Sequence, residues 1–177
     1  VIAASGVLSS RREDWLVRET VGLLRRTFAR LDVTSRSLYA IIDQGSCFAG
    51  VLLELALAAD RIYMLSLLDG DDNAPAITLH EANFGLFPAV NHQSRLETRY
   101  YGDKVSLERV RGQIGKALSA NAAFELGLVT ATPDDLDWED EIRLALEERV
   151  SLSPDALTAM EANLRFAGAE TMETKVF

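Results

Sequence analysis

Behind Ser10, apolar residues recur at helical steps: Val17, Val21, Leu24, Phe28 and Leu31 follow one another at spacings of four and three. Residues three and four apart share one helix face, so the spacing predicts an amphipathic helix over residues 13–31. Ser10 and Glu13 precede it as Ser-x-x-Glu, the pattern of a capping box. The opposite face carries Arg18, Arg25, Arg26 and Arg30. A solvated surface is the simpler reading of that face, with a binding patch as the alternative.

Elsewhere the runs are shorter and bounded by turn residues. Val1-Ile2-Ala3-Ala4 and Leu38 to Asp43 read as strands, and Gln44-Gly45-Ser46-Cys47 reads as a turn. Gly50 to Ala59 follows as an apolar helix. Arg61 to Leu68 and Ala76 to Leu79 are further strands, separated by the turn-rich residues 69–75. The acidic residues of that turn lack the alternating ligands and distal glutamate of a calcium loop. Ser119 caps a helix through Leu126, Gly127 stops it, and Leu128-Val129-Thr130 is a short strand. Helices are expected over residues 137–150 and 153–166, the second with Ser153 at its cap and Pro154 in its first turn. Strands alternating with helices define an α/β class with right-handed crossovers.

Composition narrows the picture. A chain of 177 residues, 48% of them hydrophobic, can bury one sizeable core and reads as one domain. Glu54 and Asp60 interrupt the longest apolar run, which stays short of the ~20 residues of a membrane span. A net charge of −9 argues against a nucleic-acid surface but leaves a phosphorylated substrate open. The single cysteine excludes an internal disulfide framework and suits a reducing cytoplasm. The two histidines and the carboxylates show no metal-ligand spacing, so no metal is expected. With neither an initiator Met nor a terminal signal, the chain reads as an internal piece of a longer protein.

Chemistry concentrates around Glu54, the lone ionisable residue in Gly50-Val51-Leu52-Leu53-Glu54-Leu55-Ala56-Leu57-Ala58-Ala59. A strand, a small-residue turn and an apolar helix in sequence place free N–H groups and one carboxylate at a helix start. Free N–H groups there suit a developing oxyanion. A carboxylate in apolar company resists ionisation, which makes it a candidate general acid or base. The alternative is a carboxylate that stabilises its own helix end.

Two segments taken together carry more. Ile41-Ile42-Asp43-Gln44-Gly45-Ser46-Cys47-Phe48-Ala49-Gly50 runs on into Glu54-Leu55-Ala56 and ends at Asp60. Leu79-His80-Glu81-Ala82-Asn83-Phe84-Gly85-Leu86-Phe87-Pro88 follows downstream. In order and spacing they resemble the crotonase (enoyl-CoA hydratase) superfamily, and Ser119-Ala120 with Glu125-Leu126-Gly127-Leu128-Val129 extends the likeness to about residue 130. Gly45 to Gly50, Asn91 to Leu96 and Gly168 to Lys175 are similar to a ring-opening branch of that superfamily.

The resemblance implies a ClpP/crotonase spiral core of strand–helix repeats over residues 1–133, with an incomplete C-terminal helical segment over 134–177. It implies an acyl-CoA thioester as substrate, with coenzyme A arriving as part of it and no separate cofactor. It also implies a homo-oligomer in the full-length protein. In the ring-opening branch the substrate is a 2,3-epoxide of dihydrobenzoyl-CoA, opened by water with loss of formate. An enoyl-CoA hydratase or isomerase is the nearest alternative, and a non-catalytic acyl-CoA-binding or oligomerisation module is the alternative from another class.

Residue by residue, Glu54 and Glu81 match the acid/base pair. Val51, beside Gly50, matches one oxyanion donor, and Gly6 or Val7, at the exit of the first strand, matches the other. Cys47 is a small buried hydrophobe or, from its seat before the helix, a reactive thiolate. Asn91, Gln93 and Phe48 are candidate pocket residues, with helix capping the simpler role for Asn91. His80 and His92 are expected at the surface or behind the site. Tyr100, Tyr101, Phe84 and Phe87 are expected in the core.

Overall fold

The computed structural model describes residues 1–68, 71–165, 168–171 and 173. Asp69-Gly70 of the turn, Phe166 at the expected end of the last helix, Met172 and the tail from Thr174 lie outside the described residues. The first element is a helix, α1 (Ile2–Ser10), where a strand was expected. Its residues pack against the turns that carry Val51 and Glu81, and a helix satisfies its backbone without a partner strand.

The long amphipathic helix forms as α2 (Trp15–Asp32), but the expected capping box does not. Asp14 is the N-cap, its carboxylate accepting from the Leu16 and Val17 N–H groups, while the Ser10 hydroxyl turns back to the Gly6 carbonyl. Val17, Val21 and Phe28 are buried as the spacing requires, against Val51, Ala82, Leu86 and Phe87. The Phe28 and Phe87 rings meet edge to face, 5.4 Å between centroids.

β1 (Tyr39–Ile42) and β2 (Arg61–Met64) pair in parallel, Tyr39 opposite Arg61. Between them, a 3-10 turn (Gly50–Leu52) leads into the short helix α3 (Leu53–Leu57). Asp60 closes this crossover: its N–H donates to the Leu38 carbonyl at 2.8 Å, and its carboxylate accepts from the Leu38 N–H at 2.7 Å. Ala40 and Ile42 point to the main core with Leu53, Ala56 and Leu57. Tyr39 and Ile41 point the other way, where α7 (Trp138–Ser151) sets Trp138, Ile142 and Ala145 against Tyr63 and Leu65. Helices therefore cover both faces of the parallel pair, as an α/β class requires.

β3 (Ile77–Thr78) pairs antiparallel with β4 (Ala117–Leu118). The expected strand at Leu128–Thr130 is not regular; Leu128 and Val129 pack into the core instead. Hydrogen bonding to β2 begins at Thr130, whose N–H donates to the Ile62 carbonyl, and Ala131 bridges Tyr63. The remaining helices are α4 (Arg95–Arg99), α5 (Lys104–Arg111), α6 (Ala120–Glu125) and α8 (Pro154–Leu164). No described helix is long and apolar enough to cross a membrane.

Candidate functional site

Glu54 is fully buried in the first turn of α3. Asn83 Nδ2 donates to its Oε1 and an Arg95 N–H to its Oε2, each at 2.7 Å. The same nitrogen, Nη1, also donates to the Phe87 carbonyl, while Nη2 donates to both Asp32 oxygens at 2.7 and 2.8 Å and Nε to Oδ1 at 3.1 Å. Arg95 and Asp32 are themselves buried, so one cation serves two desolvated carboxylates. Burial pushes the Glu54 pKa up to about 7; the Arg95 charge and the Asn83 bond oppose this, and Asp32 adds to it.

Asn83 engages its whole amide here. Its Oδ1 accepts from the His80 N–H, and its Nδ2 reaches both Glu54 and the Gly50 carbonyl. It sits on the 3-10 turn Glu81–Phe84, capped by His80, whose Nδ1 accepts from the Ala82 N–H. The segment singled out for Glu81 therefore does reach Glu54, through Asn83. Glu81 itself is exposed in the same turn, and its carboxylate makes no hydrogen bond or ion pair with the described residues.

Beside this cluster, the buried Val51 N–H donates to the Ser5 hydroxyl at 2.9 Å, and that hydroxyl donates to the Val1 carbonyl. Gly50 makes this approach possible. Its φ is +51°, and a Cβ there would stand 2.2 Å from Ser5 Oγ. The Val51 amide thus lies outside regular α-helix, aimed at an oxygen atom. Gly6 and Val7 do not line a strand exit. They lie inside α1, where N–H groups point along the helix to carbonyls one turn back.

Cys47 is exposed, against the expectation of a buried hydrophobe, because the turn carrying it stands out from the core. Phe48 is half-buried and packs against the main core, with its carbonyl accepting from the Thr78 N–H. Asn91 does not cap the following helix. Ser94 does, in a reciprocal box with Glu97, while the Asn91 amide donates to Gln93 in its own loop and to the Thr98 hydroxyl in α4. Phe87 is buried and Phe84 and Tyr100 are partly so, but Tyr101 is exposed.

Sequence reasoning did not single out Asp32, Asn83, Arg95 or Ser5. Asp32 stands four residues beyond Phe28 and continues the buried stripe of α2, which was a readable signal. Arg95 follows Ser94 in Ser-Arg-Leu-Glu, a recognisable helix start, but nothing local says that its side chain turns inward.

Solved structures share this architecture. An enoyl-CoA hydratase from Bacillus anthracis matches with a TM-score of 0.65 at 22% identity, over 91% of this chain and 58% of that one. A methylmalonyl-CoA decarboxylase complexed with 2S-carboxypropyl-CoA matches with a TM-score of 0.60 at 15% identity, over 85% of this chain and 54% of that one. The chain has the crotonase fold, that of the enoyl-CoA hydratases and isomerases. No protein-family model matches it. Along its full 177 residues it is 54% identical to benzoyl-CoA-dihydrodiol lyase of Aromatoleum evansii, and it spans 31% of that protein's length.

Proposed function

We propose that the protein containing this chain processes an acyl-CoA thioester, opening the ring of 2,3-epoxy-2,3-dihydrobenzoyl-CoA with release of formate. The observation that carries this reading is the 54% identity, sustained over the whole chain, to benzoyl-CoA-dihydrodiol lyase. We place the thioester at Val51. Its carbonyl oxygen would take over the Val51 N–H from the Ser5 hydroxyl, and a preorganised amide donor of this kind contributes about 3–4 kcal/mol to a barrier.

Glu54 and Glu81 are proposed as the proton-handling pair. Glu54, its pKa raised to about 7 by burial, can hold or release a proton near neutral pH, while Glu81 stands exposed in a neighbouring turn. Glu54 is buried with one hydrogen bond on each oxygen, so substrate or water must open the packing around it for Glu54 to act directly.

Those occupied oxygens also favour a second reading, a non-catalytic acyl-CoA-binding module. Thioester binding without turnover would establish it. The test is mass-spectrometric product analysis of the full-length protein with the epoxide thioester. Formate with a ring-opened semialdehyde thioester is expected. Hydration of crotonyl-CoA with no formate from the epoxide would identify an ordinary hydratase instead.

A further inference from the structure

A cavity of about 520 Å³ opens at the C-terminal end of α3, whereas Gly50 and Val51 lie at its N-terminal side. That volume falls within the ~300–1,000 Å³ range of small-molecule sites. Leu57 of α3, Leu152 after α7, and Leu157 and Met160 of α8 give it an apolar lining. Five arginines also line it. Three are neutralised: Arg95 by Asp32, Arg61 by Glu148 at 3.3 Å, and Arg165 by Asp60 and Glu161.

Arg99 and Arg149 have no carboxylate partner among the described residues. Arg99 donates to the Gly127 carbonyl and Arg149 to the Ser37 hydroxyl, which leaves most of each guanidinium's donors free. Burial lowers the Arg99 pKa, and the side chain is half-buried at the cavity wall. In a chain of net charge −9, two arginines at one cavity without a carboxylate partner among the described residues are available to an anion.

We propose that this cavity binds a small amphipathic carboxylate, its anionic end taken by Arg99 and Arg149 and its hydrocarbon end lying over Leu57, Leu157 and Met160. The guanidinium fork matches a carboxylate in shape. Asp32, Asp60, Glu148 and Glu161 on the same walls oppose a multiply charged phosphate and select a monoanion. The site is separate from the proposed thioester position at Val51 and does not depend on that reading.

Titration calorimetry of the full-length protein with hexanoate, and with hexanol as the uncharged match, tests the proposal. Saturable hexanoate binding at least tenfold tighter than hexanol is expected, unchanged by saturating benzoyl-CoA. The double variant Arg99→Gln/Arg149→Gln should bind hexanoate no better than hexanol while retaining a native circular dichroism spectrum. Should that variant misfold, Met160→Trp keeps both arginines, fills the apolar end and should abolish binding. Equal binding of hexanol, absence of saturable uptake, displacement by benzoyl-CoA, or full hexanoate affinity in a folded variant would each overturn it.

Discussion

Replacing Glu54 by Gln removes a buried charge while keeping the side chain's size, and its effect on stability should depend on pH. The Glu54 pKa is raised from 4.5 to about 7 in the folded chain, so the folded state holds this proton more tightly than the unfolded one. The group's contribution is therefore fully present below pH 4.5 and is lost as pH rises through about 7. At ~1.36 kcal/mol per pKa unit, the loss amounts to about 3 kcal/mol. That is a large fraction of the ~5–15 kcal/mol that stabilises a typical domain.

The Glu54→Gln side chain titrates nothing, so the difference between native and variant isolates this contribution. Urea unfolding followed by Trp138 fluorescence, repeated from pH 4.5 to 8, provides the measurement; Trp138 is buried at the start of α7. Relative to the native chain, the variant should gain about 3 kcal/mol across that range, most of it between pH 5 and 7.5. Two stability curves that run parallel throughout would refute the assignment of a shifted carboxylate at position 54.

Arg95→Met leaves Asp32 and Glu54 buried without a cation and should cost about 3–5 kcal/mol near neutral pH, with a smaller loss at pH 5, by the same unfolding assay. Gly50→Ala drives a Cβ into Ser5 Oγ at a positive φ and should lower the melting temperature; the double variant with Ser5→Gly should recover part of that loss. In the full-length protein, Glu81→Gln should reduce kcat by orders of magnitude with a modest change in KM, and unchanged turnover would remove Glu81 from the reaction. Phe28→Ala should cost about 3–5 kcal/mol by loss of its contact with Phe87 and the Arg95 face, measured by denaturant unfolding.

Where local spacing controls the outcome, the chain was readable. The 17–31 stripe produced α2, and Ser119 with Gly127 bounded α6, because periodicity and caps act over one or two turns. The strand–helix–strand run around Glu54 also followed, whereas the parallel pairing of its strands and the closing contacts of Asp60 appear only in the structure. The start of the chain did not. Val1 to Ala4 is apolar enough for a strand, and only its tertiary setting against two 3-10 turns makes it helical. α5 escaped notice because Leu107 and Val110 alone face the core in a charged sequence.

The site was half legible. The motif located Glu54, Gly50, Val51 and the turn bearing Glu81, since those lie on contiguous segments. Its wiring was not legible. Arg95 is 41 residues from Glu54 and 63 from Asp32, and no local pattern encodes which buried cation meets which carboxylate. Asn83, two residues past Glu81, shows the same limit: the element was found, but the side chain that reaches Glu54 was set by packing.

The most direct test of the account is a crystal structure of the full-length protein with benzoyl-CoA, which carries the thioester but lacks the epoxide. The thioester oxygen should accept the Val51 N–H, with Ser5 Oγ displaced from the 2.9 Å contact it makes now. A thioester bound elsewhere, with the Val51 amide still held by Ser5, would contradict it.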